Sequence, residues 1–415
     1  MSTKAQAAER FDFVDAMRGL AVLFMIWMHT GDGWLQPALK QGQGWELVRA
    51  FGGLAAPLFL LLTGVSLGLA TGGGGRVDVR AGIARGLRIV VLGYLLRVQM
   101  WMLDGRGYAF ADHWGAALPL LVGYGAAYVG LGRWGEGRPW RGPLLLACAS
   151  TPLGIWLVSI WIPQRLTGVL RVDVLQAIGV SLALLAPLAS FARRRPAAIL
   201  ALGALVAALT PWFRSWVPGP LPEPVAAYLG YWYPGPGLAP AGMFPLFPWL
   251  AYPCFGLVLG QHWRRLGAAA ATESAIALCA LGALLALASC EAFRPARELL
   301  RAWPDLVQPA RVAYRVGVCL VVGGLAVLLS RPRTPGRVPL GWLGRASLMV
   351  YWVHLEFAFG MLGRPLIRQL DFRGWALAWG GLSVAMVGLS WLWIRLRPRL
   401  RVAPPKAADI PVKAA

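Results

Sequence analysis

Arg10-Phe-Asp-Phe-Val-Asp15-Ala-Met-Arg18-Gly-Leu-Ala-Val-Leu-Phe-Met-Ile-Trp-Met-His29-Thr-Gly-Asp32 opens the first apolar run of the chain. It reads as a membrane-spanning helix, yet it carries Asp15, Arg18, His29 and Asp32. Charge in a spanning segment is costly, so such groups face the interior of a helix bundle and serve a purpose there. The 11 positions from Arg18 to His29 close three helical turns plus about 20°. Asp15 stands three residues before Arg18 and Asp32 three after His29, so all four fall on one stripe.

The rest of the chain supports that reading. Of 415 residues, 58% are hydrophobic and 14% charged, where a soluble domain carries about a quarter charged. Apolar runs near the ~20 residues needed to cross a bilayer recur from end to end, which makes the chain a polytopic membrane protein. Period-two alternation is absent, so helices are expected rather than a barrel. The net charge of +22 does not mark a nucleic-acid binder, because Lys and Arg cluster in short loops between apolar runs, where membrane topology places them. Anionic lipid headgroups are the natural partners of such a surface. The five cysteines (Cys148, Cys254, Cys279, Cys290, Cys319) lie within or at the ends of apolar runs. No CxxC spacing or Cys/His cluster points to a metal, so they read as small buried thiols. The first run is too charged, and lacks the cleavage pattern, to be a removable signal.

Twelve candidate spans follow: about 16–35, 50–70, 82–103, 114–132, 143–162, 173–192, 196–213, 243–263, 271–292, 312–330, 343–362 and 375–395. The expected fold is all-α, a bundle of about 12 (10–12) transmembrane helices forming one integral-membrane domain over 1–395, with a basic Pro/Ala-rich tail at 396–415. The Lys/Arg asymmetry puts both termini in the cytoplasm. It leaves three substantial outer loops: 104–113 with Asp104, Arg106, Asp112 and His113; Pro/Gly/aromatic-rich 214–242 with Tyr228, Tyr231, Trp232 and Tyr233; and mixed-charge 293–311. The second is either a lid or glycan-contacting surface or an interfacial aromatic belt.

His29 lies about 16 Å along the axis from Arg18, in the outer half of the bilayer. A neutral imidazole there can act as a general base, and Asp32, one turn on, is the local carboxylate that would fix its tautomer. Arg18 and Asp15 sit at the inner mouth, as a phosphate clamp or as a positive-inside anchor pair. His354 falls inside Ser347-Leu-Met-Val-Tyr351-Trp-Val-His354-Leu-Glu356, near the middle of the eleventh span. It is either a pocket residue or a satisfied core histidine. Arg97 and Gln99 interrupt the third span, and Arg171-Val-Asp173-Val-Leu-Gln176 opens the sixth. Arg97 either snorkels or lines a site, and Gln176 lies deep enough to line one. Phe244-Pro-Leu-Phe-Pro-Trp249-Leu-Ala-Tyr-Pro253 repeats proline inside a span, as a packing kink or as backbone lining a cavity beside Trp249. His113 and His262 read as a loop and an interface histidine. Gly72–Gly75 matches a phosphate cradle only in composition.

Asp15-Ala-Met-Arg18-Gly-Leu-Ala followed by His29 resembles the opening signature of the transmembrane acyltransferase superfamily. Ala56-Pro-Leu-Phe-Leu-Leu-Leu-Thr-Gly64-Val-Ser, Arg171-Val-Asp-Val-Leu-Gln176-Ala-Ile-Gly, Phe244-Pro-Leu-Phe-Pro-Trp249 and Leu343-Gly-Arg-Ala-Ser-Leu-Met-Val-Tyr351-Trp-Val-His354 are similar to its heparan-α-glucosaminide N-acetyltransferase-like branch. The resemblance implies a multi-pass enzyme of the bacterial inner membrane. Such an enzyme moves an acyl group, an acetyl above all, from cytoplasmic acyl-CoA to a hydroxyl or amine of an extracytoplasmic saccharide or envelope component. The resemblance maps the family's first-helix Arg and His onto Arg18 and His29; beside it, the residues themselves give Arg18, oriented by Asp15, the CoA phosphates, His29, with Asp32, the role of general base or transient acyl acceptor, and His354, Gln176, Arg97 and Trp249 a place in the pocket, with no metal. One departure is visible: no histidine lies between residues 30 and 112, where that branch carries its active histidine, so the role falls to His29. Span count and inner termini also fit a secondary transporter, and a non-catalytic membrane scaffold is the third class.

Overall fold

The computed structural model describes residues 11–73, 77–103, 114–215, 223–230, 242–293, 308–331, 334 and 336–400. Outside them lie the expected outer loop 104–113 with His113, Tyr231, Trp232 and Tyr233, most of loop 293–311, Gly74 and Gly75, and the tail from 401 onward. Among the described residues every regular element is helical, with two isolated backbone bridges, Leu35 with Leu370 and Val172 with Gly242.

The helices run in the order α1 (Asp12–Trp34), α2 (Gly42–Gly52), α3 (Ala55–Thr71), α4 (Val79–Met102), α5 (Trp114–Gly135), α6 (Arg141–Trp161), α7 (Pro163–Leu170) and α8 (Val174–Arg194). There follow α9 (Pro196–Ser215), α10 (Glu223–Leu229), α11 (Leu246–Trp249), α12 (Ala251–Phe293), α13 (Gln308–Leu329), α14 (Arg337–Arg345), α15 (Ser347–Ala358) and α16 (Phe372–Leu400). Nine of the described helical segments are long and apolar enough to cross a membrane: α1, the continuous α2–α3 stretch, α5, α6, α8, α9, the Ala269–Ser289 half of α12, α13 and α16. Large apolar side chains such as Leu145, Leu284, Leu377 and Val384 stand exposed on the outside of the bundle, a surface suited to lipid rather than water.

Each of the twelve expected spans coincides with helix, and three fall short of the spanning criterion for physical reasons. α4 carries Arg80, Arg85, Arg88 and Arg97 along one helix. The 243–263 stretch is cut at both ends, by the Pro-broken α11 and by Gly267, whose φ of +78° lies in the left-handed region open to glycine. The 343–362 stretch is split at Ala346 into α14 and α15, leaving α15 with 12 residues. Of the cysteines, Cys254 and Cys319 are buried as expected, whereas Cys148 on α6 is exposed.

α1 is the hub, in contact with α2, α3, α13, α14, α15 and α16. Its first half (Phe13, Ala16, Met17, Leu20, Ala21) belongs to one apolar cluster and its second half (Val22, Met25, Ile26, Trp34) to another. Backbone approaches backbone where it meets α14. A Cβ on Gly19 would strike the Leu340 carbonyl, and one on Gly344 would strike the Asp15 carbonyl. Small residues at such crossings let spanning helices pack closely. Gly19→Leu is therefore expected to lower stability in detergent by about 1–3 kcal/mol or more, as overpacking does. Gly380→Leu on α16, with open space around it, is expected to leave the thermal unfolding midpoint unchanged. Equal midpoints for the two variants would refute the crossing argument.

Candidate functional site

The ends of α1 hold two polar assemblies. At the Asp12 end, Arg18 Nη1 donates to Asp15 Oδ1 at 3.1 Å and Nη2 to Ser66 Oγ on α3 at 2.9 Å. The Ser66 hydroxyl spends its proton on the Leu62 carbonyl, 2.7 Å away, so its oxygen is free to accept. Asp12 pairs with Arg337 at 2.9 Å. Both acids stand in the first turn of α1, where the helix dipole favours them.

Arg18 opens onto a cavity of about 770 Å³ between α1, α3, α4, α8, α12, α14 and α15. Among the described residues, four guanidinium-bearing side chains line it, Arg18, Arg85, Arg264 and Arg345, against one carboxylate, Asp78. Asp78 is itself committed to capping α4 through the Ala81 N–H at 2.9 Å. Thr63, Ser66 and Thr71 add hydroxyls, while Phe59, Leu175, Ile178 and Leu182 make an apolar wall. Tyr351 also lines this space, and its ring stands 6.4 Å from that of His29 and 5.8 Å from that of His354.

Behind Tyr351 the two imidazoles meet. His29 Nδ1 and His354 Nε2 are 2.8 Å apart across α1 and α15, with ring planes 5° from parallel. His354 Nδ1 lies 2.8 Å from the Val350 carbonyl of its own helix. Asp32, expected to be the carboxylate partner of His29, is engaged elsewhere. Its side chain is 54% exposed and pairs with Lys40 at 3.3 Å, and Lys40 also donates to the Asp32 carbonyl. The cause is the 3-10 turn Pro37–Leu39, which folds the chain after α1 back on itself. The stripe drawn along α1 thus divides: Arg18 faces the cavity, His29 faces α15, and Asp32 faces its own following loop.

The other expected pocket residues fall in three places. Arg97 donates to the Gly168 carbonyl at 2.9 and 2.7 Å and approaches Asp173 at 3.8 Å. Asp173 caps α8, lies within electrostatic reach of His29 and Tyr351, and closes a capping box with Gln176, whose Oε1 accepts from the Asp173 N–H at 3.2 Å. Gln176 is fully buried, packs on Gly93 of α4, and its Nε2 meets no acceptor among the described residues. Trp249 packs instead on Phe244 and Tyr252, beneath the guanidinium of Arg315, away from both cavity and imidazoles. His262 is exposed. Tyr228 hydrogen-bonds Tyr94 at 2.7 Å, tying α10 to α4.

Several site residues carried little signal in the sequence. Tyr351 was visible as the i−3 neighbour of His354 on one helical face. Ser66 lay one turn beyond Thr63 on α3. Arg85, Arg264 and Arg345 looked like ordinary interfacial arginines. Gln99, which accepts from Trp352 Nε1 and donates to Glu356 at 2.6 Å, links α4 to α15 just beyond His354. Among the described residues no group of His, Cys, Asp and Glu could hold a metal ion.

The family described as "Acyltransferase domain" matches this chain over residues 11–395. No curated protein matches it.

Proposed function

The chain belongs to the acyltransferase-domain family, and from that premise we propose that it is a membrane enzyme moving an acyl group from acyl-CoA to a hydroxyl or amine across the bilayer. One observation carries the reading: a single cavity joins a four-arginine mouth to Tyr351, which stands beside an imidazole pair. The arginines suit the phosphates of CoA, since guanidinium binds phosphate through paired N–H donors. The apolar wall suits the pantetheine arm and a short acyl chain. His29 is the general base for the attacking acceptor. Arg18 holds phosphate while Asp15 and Ser66 hold Arg18. With the arginine-rich face in the cytoplasm, the acceptor arrives from the far side, beyond His29. The acceptor class supported by the family resemblance is an envelope saccharide, and an acetyl group is the simplest acyl chain.

The test is CoA binding to the purified protein in lipid nanodiscs, followed by release of free CoA thiol when acyl-CoA and a cell-envelope extract are added. Arg85→Ala and Arg264→Ala are each expected to weaken CoA binding by about tenfold, one charge-assisted contact's worth. Binding is also expected to fall as salt rises, because exposed charges are screened. No CoA binding in the native protein would sink the proposal and favour transport.

A further inference from the structure

The sequence makes His354 either a pocket residue or a satisfied core histidine, whereas the structure assigns it another role. His354 is a positioning residue that fixes His29 in one tautomer and shares the proton His29 takes up. This role rests on the acyl-transfer reading for its purpose, though its geometry stands apart from that reading. The Val350 carbonyl can only accept, so the 2.8 Å contact requires the proton of neutral His354 on Nδ1. His354 Nε2 is then a lone pair, and the 2.8 Å contact to His29 requires His29 to donate from Nδ1. His29 Nε2 is left bare. The order of donors is set by one backbone carbonyl, with no choice at either ring. Among the described residues these hydrogen bonds run to each other and to the backbone of Val350 and Tyr351 on the same helix; no carboxylate is hydrogen-bonded to either ring, Asp32 being held by Lys40 and Asp173 acting on His29 only through space.

The consequence differs from a carboxylate–histidine dyad, where a fixed negative charge steadies the imidazolium. Here the acceptor's O–H or N–H bond breaks, its proton passes to His29 Nε2, and its electron pair forms the new bond to the thioester carbonyl carbon. The Nδ1 proton of His29 can then move toward His354 Nε2, spreading one positive charge over two rings, with His354 still donating to Val350. When the C–S bond breaks, the CoA thiolate leaves and takes the proton back from His29 Nε2, and the pair returns to its starting state. A neutral resting pair also suits a buried site, because no permanent charge must be kept there.

The chain has four histidines, which makes nitrogen-15 histidine spectra of the full-length protein in nanodiscs tractable. The expected spectrum shows His29 as the Nδ1–H tautomer with Nε2 unprotonated, assigned by its loss in His29→Ala. His354→Leu is expected to release His29 into a mixture of tautomers and to lower kcat about 10- to 100-fold with CoA affinity unchanged. His354→Gln, whose amide oxygen can accept from His29 Nδ1–H, is expected to restore the tautomer and part of kcat. A native spectrum with His29 protonated at Nε2 would overturn the assignment, as would a leucine variant with native tautomer and native kcat. Should the leucine variant fail to fold, the native spectrum still decides. Absence of acyl transfer alongside the expected spectrum would count against the enzyme reading and leave the pair standing.

Discussion

His29→Ala is expected to lower acyl transfer by about 10²–10⁴-fold, the usual worth of a positioned general base, while CoA binds as it does to the native protein. The separation follows from the architecture. His29 is not among the residues lining the cavity and stands beside Tyr351, which is, so removing its ring subtracts nothing from the phosphate end. Asp32→Asn should change transfer less than about threefold, because its carboxylate faces Lys40 and solvent rather than the imidazole. His262→Ala, at an exposed position, serves as the neutral control. The measurement is the initial rate of CoA thiol release with acceptor present, paired with a CoA titration of each variant. A rate unaffected by His29→Ala would remove His29 from the chemistry. A rate lost in Asp32→Asn to the same extent would show that the Lys40 pairing gives way when substrate binds.

What is legible in the sequence is the part that depends on local spacing. An apolar run bearing Asp15, Arg18 and His29 had to be an inward-facing helix, and α1 is the hub of the bundle. The helical stretches were legible for the same reason, since apolar length and loop arginines are local quantities. The spans were harder to count where a helix is broken by a special backbone, as at Gly267, or carries several arginines, as α4 does. The partners of the functional side chains were the least legible. Local spacing offered His29 only Asp32, whereas its partner stands 325 positions away on α15. Nothing in the periodicity of either helix encodes which face of α15 meets α1. The same holds for the cavity mouth. Arg85, Arg264 and Arg345 come from three distant helices, and each taken alone looks like the topogenic arginine that any multi-pass chain carries.

Arg18→Ala is expected to weaken CoA binding about 10- to 100-fold, the equivalent of about 1.5–3 kcal/mol for hydrogen bonds to a charged group. Arg18 differs from the other three arginines in being held by side chains at both of its Nη atoms. Asp15 holds one Nη at 3.1 Å and Ser66 the other at 2.9 Å, and its side chain is 24% exposed. A phosphate therefore meets an oriented guanidinium, with little side-chain entropy left to lose. Arg18→Lys should recover little of the affinity, because a single ammonium cannot reach Asp15, Ser66 and a phosphate in the same planar arrangement. Truncating Arg18 also takes one cationic partner from the largely buried Asp15, so the variant should lose stability as well as affinity. The two effects separate in the double variant. Arg18→Ala with Asp15→Asn removes the carboxylate charge as well and should recover part of the unfolding midpoint, yet CoA binding should stay at the level of Arg18→Ala alone. If the double variant instead regains native CoA affinity, Arg18 acts only as the structural partner of Asp15, and the phosphate clamp reduces to the three arginines at the mouth. If affinity stays low with stability restored, the Arg18 end of α1 binds the donor in its own right, and one helix then presents phosphate recognition at one end and proton transfer at the other.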